Sequence, residues 1–443
     1  MAPDIYKGIH GQLWSNMIRK FQGADAYRTF GEARTIENLL VHGWRFDVAT
    51  GLRDEAEASA RAALERCVAI GLPFDSCGKE RYFDPVETYN FLKWASVHHG
   101  EPTWERQCVA CGRRQTWEGL PSPVAWSMPP PPDARGPMRY AVTIRRDFNL
   151  EGRKPGERLR LRLPAPIEDR GLTALSVAFL CPEGLDARTT VAPGRLDAVI
   201  AAPAEARIEL GMRATFTTHA YSEAPDDSLT PADAALYTRP REGLIVVNDR
   251  ILALAAELAG KDRLTLSIMR RFWNFMFDKF ACGGLHYDRL DPAAPLDLVL
   301  DEGWFDCVTG SALLVALCRA RRIPARLVTG YALHLVASGF HTWLEVWVED
   351  RGWLPFDLAC WDLSLGGRDA AWRDYYFGRT ERRMVVERPP LVFSGLGSLR
   401  LHDPWQMSSE LRQPGVMVSF ENLRTGVYLY RDQILVECMD NDS

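Results

Sequence analysis

Lysine is nearly missing from this 443-residue chain, with seven residues among 53 basic ones. No sign of charge dominates: 58 acidic residues face those 53 basic ones, for a net charge of -5. That balance excludes the basic footprint with which nucleic-acid binders neutralise phosphates. Long apolar runs are also lacking. The longest, Ala312 to Cys318, falls far short of the roughly 20 residues a membrane-spanning helix needs. The stretch Met1-Ala2-Pro3-Asp4-Ile5-Tyr6-Lys7 has no apolar core of a signal peptide. A cytoplasmic protein with no nucleic-acid and no membrane partner is therefore expected. There is no internal repeat and no acidic cluster of the kind a calcium site uses. Ten cysteines are present without a framework of paired spacings, so mostly reduced thiols are expected.

The length exceeds what one ordinary core accommodates, and the pattern of periodicity divides it. Residues 1–125 read as a helical N-terminal domain. One helix runs from Asp54 and Glu57 to Gly71, and a second from Asp84-Pro85 through Tyr89, Leu92 and Trp94 to His98. Four consecutive prolines, Pro129 to Pro132, make residues 126–136 a stiff linker. The period then becomes two, at Tyr140, Val142 and Ile144, at Leu159, Leu161 and Leu163, at Leu175, Val177 and Phe179, and at Ile208 and Leu210. Residues 137–225 thus read as a β-sandwich. Helical spacing returns after Asn248, with Ile251, Leu254, Ala255 and Leu258 on one face and Gly260 as the stop. An aromatic-rich helix at Phe272 to Phe280 and a third helix after Cys307 follow. Two strands, Phe340 to Val348 and Gly352 to Asp357, complete an α+β unit over residues 226–378. Residues 379–443 form a C-terminal extension with strands expected at Val416 to Phe420 and Gly426 to Tyr430.

Three residues stand where catalysis by an activated thiol would need them. Cys307 lies at the start of a mostly apolar helical stretch, where the helix dipole and free N–H groups favour the thiolate. His341 opens a strand whose alternation puts His341, Trp343, Glu345 and Trp347 on one face. Asp357 ends the next strand, and a hairpin through Glu349 to Gly352 would set it beside His341 to orient the imidazole. Each alone has a plainer reading: a core cysteine, a structural histidine, a turn aspartate. Together they match the arrangement of a nucleophile with its base and orienting acid.

Residues 303–362 resemble the transglutaminase-like superfamily. The resemblance rests on Cys307, then Arg322-Ile323-Pro324-Ala325-Arg326, then His341-Thr342-Trp343-Leu344-Glu345, then Gly352-Trp353-Leu354-Pro355-Phe356-Asp357. It extends to the preceding β-domain and to Tyr375-Tyr376-Phe377-Gly378, covering residues 138–380. The resemblance implies a papain-like core of a helix packed on an antiparallel sheet, after the sandwich and the helical N-terminal domain. It implies catalysis by Cys307, His341 and Asp357 without a cofactor or catalytic metal. The oxyanion would be met by the Cys307 N–H and a side chain such as Tyr287 or Trp304, either of which could instead be packing. The implied partners are an acyl donor, a peptide glutamine or an acyl thioester, and an amine acceptor. A carrier protein could present the donor. The same family includes peptidases and amidases, and non-catalytic scaffolds on this fold are a further alternative. Two departures stand out. The family often has Gly-x-Cys, whereas here the nearest preceding glycine is Gly303, with Asp306 beside the cysteine expected to face away or cap the helix. Arg322 replaces the family's glycine before Ile-Pro.

Outside that resemblance, Cys108-Val109-Ala110-Cys111-Gly112 could be half of a zinc knuckle completed by Cys77, His98 or His99. No second Cys-x-x-Cys is present, so a redox pair or plain buried thiols remain open for it.

Overall fold

The structure, a computed structural model, describes residues 75–77, 80–82, 136–150, 153–221, 228–283, 290–291, 293–333, 339–363, 370–388, 407–409 and 430–439. The two helices expected before residue 125 lie outside these residues. What is described there is a hairpin between them, Asp75–Cys77 with Glu80–Tyr82, so that region is not wholly helical.

Alternation builds the sandwich. Its strands are β1 (Met138–Asn149), β2 (Arg158–Pro164), β3 (Leu172–Leu180), β4 (Ala187–Ala192), β5 (Arg195–Ala201) and β6 (Arg207–Thr218). Tyr140, Val142 and Ile144 of β1 share one core with Leu159, Leu161 and Leu163 of β2 and with Leu196, Ala198 and Ile200 of β5. β4 and β5 escape the pattern reading because one is an exposed edge and the other alternates through a small alanine.

The core unit has three main helices, α1 (Asp249–Ala259), α2 (Thr265–Lys279) and α3 (Cys307–Ala320). Asn248 caps α1 by accepting from the Ile251 N–H, and Gly260 ends it with φ 57°. α2 starts seven residues before Phe272 and buries Ile268, Met269, Phe272, Trp273, Met276 and Phe277, the spacing of one helical face. Around the central α3 lies a sheet of β7 (Ala325–Ala332), β8 (Gly339–Val348), β9 (Gly352–Phe356) and β10 (Arg383–Glu387), in the order β9-β8-β7-β10. Leu344 and Val346 of β8 share the helical core with α3, whereas Trp343 packs with Val328 and Val385 in a separate cluster.

The region after residue 378 is woven into both units. β10 is the fourth strand of the core sheet, and β11 (Met407–Ser409) and β12 (Tyr430–Cys438) are sandwich strands. The sandwich sheets run β11-β2-β5-β4 and β12-β1-β6-β3. The strand expected at Val416 to Phe420 lies outside the described residues, and β12 begins where the other expected strand was to end, at Tyr430.

β10 is also where the two units meet. Ile167 donates its N–H to Val385 O at 2.8 Å, and Tyr221 and Thr380 exchange backbone bonds of 2.8 Å. Gly194 sits so close that a Cβ there would lie 2.3 Å from Val386 O. Behind them, Arg388 bonds both Asp169 of the sandwich and the buried Glu345 of β8, which Arg326 also holds at 2.7 Å.

Candidate active site

Cys307 is the first residue of α3, and the chain enters that helix through a capping box. Asp306 Oδ1 accepts from the N–H groups of Val308 at 3.0 Å and Thr309 at 2.8 Å, while Thr309 Oγ1 accepts from the Asp306 N–H at 3.1 Å. The acid beside the nucleophile therefore serves the helix, one of the two roles open to it from sequence. Helix and sheet meet at this end: Ser311 Oγ donates to Thr342 O at 3.5 Å, and the Thr342 N–H is directed to the Cys307 sulfur. The nucleophile candidate is thus held against the residue that follows His341.

His341 Nε2 lies 2.8 Å from Asp357 Oδ1. The hairpin that brings them together turns at Asp350, with φ 62°, and Gly352, with φ 76°, and registers Leu344 against Phe356. Asp357 is fully buried, and every side of its carboxylate is engaged. Oδ1 also accepts from the Ala359 N–H at 2.9 Å, and Oδ2 accepts from Arg383 Nε at 3.1 Å and Nη2 at 2.7 Å. Its own N–H donates to Tyr376 O at 3.2 Å. The Tyr375-Tyr376-Phe377-Gly378 segment therefore braces the acid from behind.

The electrostatics of these groups are set by burial first. For Asp357 burial opposes ionisation, but the charges of His341 and Arg383 and the hydrogen bonds outweigh it, holding the carboxyl well below the usual carboxylate range. Asp357 is thus an anion throughout the working pH range. An anion at Oδ1 accepts the Nε2 proton of a neutral imidazole, which leaves Nδ1 as the nitrogen able to take a proton.

Cys307 goes the opposite way from the sequence expectation. Burial pushes its thiol well above the ordinary value, and the charges of Asp306 and Asp357 push further. The N–H groups of Thr342 and of Cys307 itself oppose this without winning. Cys307 keeps some exposed surface, but desolvation and the two nearby carboxylates outweigh the pull of the helix N-terminus on its thiolate. These influences favour the protonated thiol of Cys307.

Of the two oxyanion candidates, Trp304 is 3% exposed and packs in the helical core on a short strand that pairs with Ala281. Tyr287 lies outside the described residues, as do Cys108, Cys111, His98 and His99. Cys77 ends the first strand of the N-terminal hairpin. Arg322, where the resemblance expects glycine, adopts φ 57°. Arg383 was not anticipated, and its only sequence signal is a charge at the start of a short strand whose three inner residues are apolar.

Residues 252–358 match the sequence model of the Transglutaminase-like superfamily, a span that includes Cys307, His341 and Asp357. No curated protein matches the chain. Among solved structures, a candidate cysteine protease from Cytophaga hutchinsonii is similar over 70% of this chain and 93% of its own, at 14% identity and a TM-score of 0.46. The periplasmic domain of TgpA from Pseudomonas aeruginosa is similar over 56% of this chain and 97% of its own, at 17% identity and a TM-score of 0.30. Among the described residues no helix is long and apolar enough to cross a membrane.

Proposed function

Since residues 252–358 form a transglutaminase-like domain, we propose that the protein is a cysteine-dependent acyl transferase that forms or exchanges amide bonds through a thioester on Cys307. The observation behind this is the 2.8 Å bond from His341 Nε2 to a buried, ionised Asp357, next to a cysteine that opens a helix. His341 Nδ1 takes the Cys307 proton as Sγ attacks the acyl carbonyl. The tetrahedral intermediate collapses with His341 returning the proton to the departing amine or thiol. An acceptor amine then loses its proton to His341, attacks the thioester and leaves with the acyl group, restoring the thiol.

Cys307 is only partly buried, so an acceptor amine can reach a thioester formed on it. Hydrolysis is the second reading, because 12% of the His341 side chain remains accessible to a water. Donors carried on a protein thioester belong to the same proposal, as does a cytoplasmic setting, which the free cysteines among the described residues favour.

Intact-protein mass spectrometry tests it. The wild type and Cys307→Ala are incubated with acyl thioesters and glutamine peptides, with and without an added amine. An adduct on Cys307 that persists in buffer and disappears with amine, yielding the amide, is expected. An adduct cleared as fast by water would establish a hydrolase. Cys307→Ala that keeps full activity would remove Cys307 as the nucleophile, and no adduct with any donor would favour a non-catalytic role.

A further inference from the structure

We propose that Arg383 is a positioning residue for the triad, clamping one oxygen of Asp357 so that the other is presented to His341. The inference rests on the triad reading above. A carboxylate can rotate and offer either oxygen to an imidazole, and in each rotation the base is aimed differently. Here both Nε and Nη2 of Arg383 converge on Oδ2, at 3.1 and 2.7 Å, leaving Oδ1 to His341 and the Ala359 N–H. The rest of the guanidinium is anchored in turn. Nη1 donates to Glu381 O at 3.1 Å and Arg382 O at 3.3 Å, and the ring of Tyr376 lies 5.2 Å from the guanidinium carbon.

Two further observations separate this from an incidental ion pair. Neither side chain is more than 4% exposed, so solvent does not loosen the geometry. The strand that bears Arg383 is fixed on both sides. β10 pairs with β7 on one edge and accepts the Ile167 N–H of the sandwich at Val385 on the other. The sandwich thereby reaches the reaction centre: it locates β10, β10 locates Arg383, and Arg383 locates Asp357. Planar two-point donation is something lysine cannot reproduce.

The charged and titratable groups acting on Asp357 or its neighbours, besides Arg383, are His341 of β8, Cys307 and Asp306 at the start of α3, Cys360 after β9, and Asp374, Tyr376 and Glu381 before β10. Removing the Arg383 charge favours every protonated form near it.

The test is the rate of iodoacetamide labelling of Cys307 against pH, resolved by peptide mass spectrometry, which requires no substrate. In the wild type one inflection should vanish in His341→Ala. In Arg383→Met that inflection is expected to move up by about one pH unit and the labelling rate at neutral pH to fall by about tenfold. Arg383→Lys retains the charge but not the fork, so the inflection should stay while the rate falls. A folded Arg383→Met with the wild-type profile would overturn the proposal. If Arg383→Met does not fold, Arg383→Lys decides: a reduced rate supports the proposal, and a wild-type rate and profile overturn it. A wild type with no His341-dependent inflection would instead overturn the triad reading and this inference with it.

Discussion

Gly310, in the first turn of α3, offers a test in which two physical effects have opposite signs. Helix propensity alone says that Gly310→Ala should stabilise the protein by about 1 kcal/mol. The surroundings say otherwise. A Cβ at this position would lie 2.4 Å from Phe305 Cδ2, 2.9 Å from Phe305 Cγ and 3.0 Å from Leu358 Cδ1. Phe305 is wholly buried and Leu358 is 2% exposed, so neither can swing into solvent. Overpacking of this kind costs about 1–3 kcal/mol, which exceeds the propensity gain over most of that range. A net loss of about 1 kcal/mol is expected, a fall in melting midpoint of about 2–4 °C for a unit of this size. Function should suffer as well. Phe305 precedes Asp306 and Cys307, and Leu358 follows Asp357, so the added methyl wedges the segment that leads into Cys307 away from the one that follows Asp357. Urea denaturation followed by tryptophan fluorescence, with labelling of Cys307 at pH 7, measures both. A variant about 1 kcal/mol more stable than wild type, with unchanged Cys307 labelling, would refute the packing argument.

Asp306 separates its capping role from its charge. Asp306→Asn keeps an acceptor for the cap but removes a charge that disfavours the thiolate, so Cys307 should label faster at pH 7 with little change in stability. Asp306→Ala should lose about 1 kcal/mol in the same denaturation assay. The thiols of Cys307, Cys318 and Cys360 are all raised by burial, Cys318 to about 12. A raised group lends stability that is complete below its unfolded pKa and is lost as pH rises. Stability should therefore fall above about pH 8.5 by about 1.4 kcal/mol per unit for each thiol. Melting curves from pH 8 to 10 measure this, and the slope should lessen in Cys318→Ala. Arg322 sits at φ 57°, where a side chain costs about 1–2 kcal/mol. Arg322→Gly should therefore gain a few tenths of a kcal/mol after the added chain entropy of glycine, read as a higher urea midpoint.

The parts of the site legible in the sequence are those written in short local patterns. Cys307 precedes an apolar helical run, His341 starts a strand of period two, and the turn at Asp350 fixes the register that brings Asp357 beside it. Arg383 had no such signature. Both faces of β10 are covered: Met384 and Val386 pack in the sandwich core, and Val385 packs with Val328, Trp343 and Ile167, and a strand buried on both faces loses its alternation. Its contact with Asp357 is a matter of tertiary packing. The ionisation of Cys307 was hidden for a related reason. Position in a helix can be read along the chain, but desolvation of the sulfur and the approach of Asp357 arise only once the sheet has formed. The placement of β11 and β12 in the sandwich is likewise a pairing between distant segments.

That pairing sets an order of events during synthesis. β1 emerges from the ribosome early, but the strand that hydrogen-bonds its outer edge from Tyr430 to Cys438 is made near the end of the described chain. Until then, the amides and carbonyls of β1 on that edge have only water, or another chain, to pair with. The interval covers the making of the whole transglutaminase-like unit. A nascent chain stalled before residue 430 would thus present an open sheet edge next to an already formed candidate site, which makes β12 a point of quality control as much as of stability.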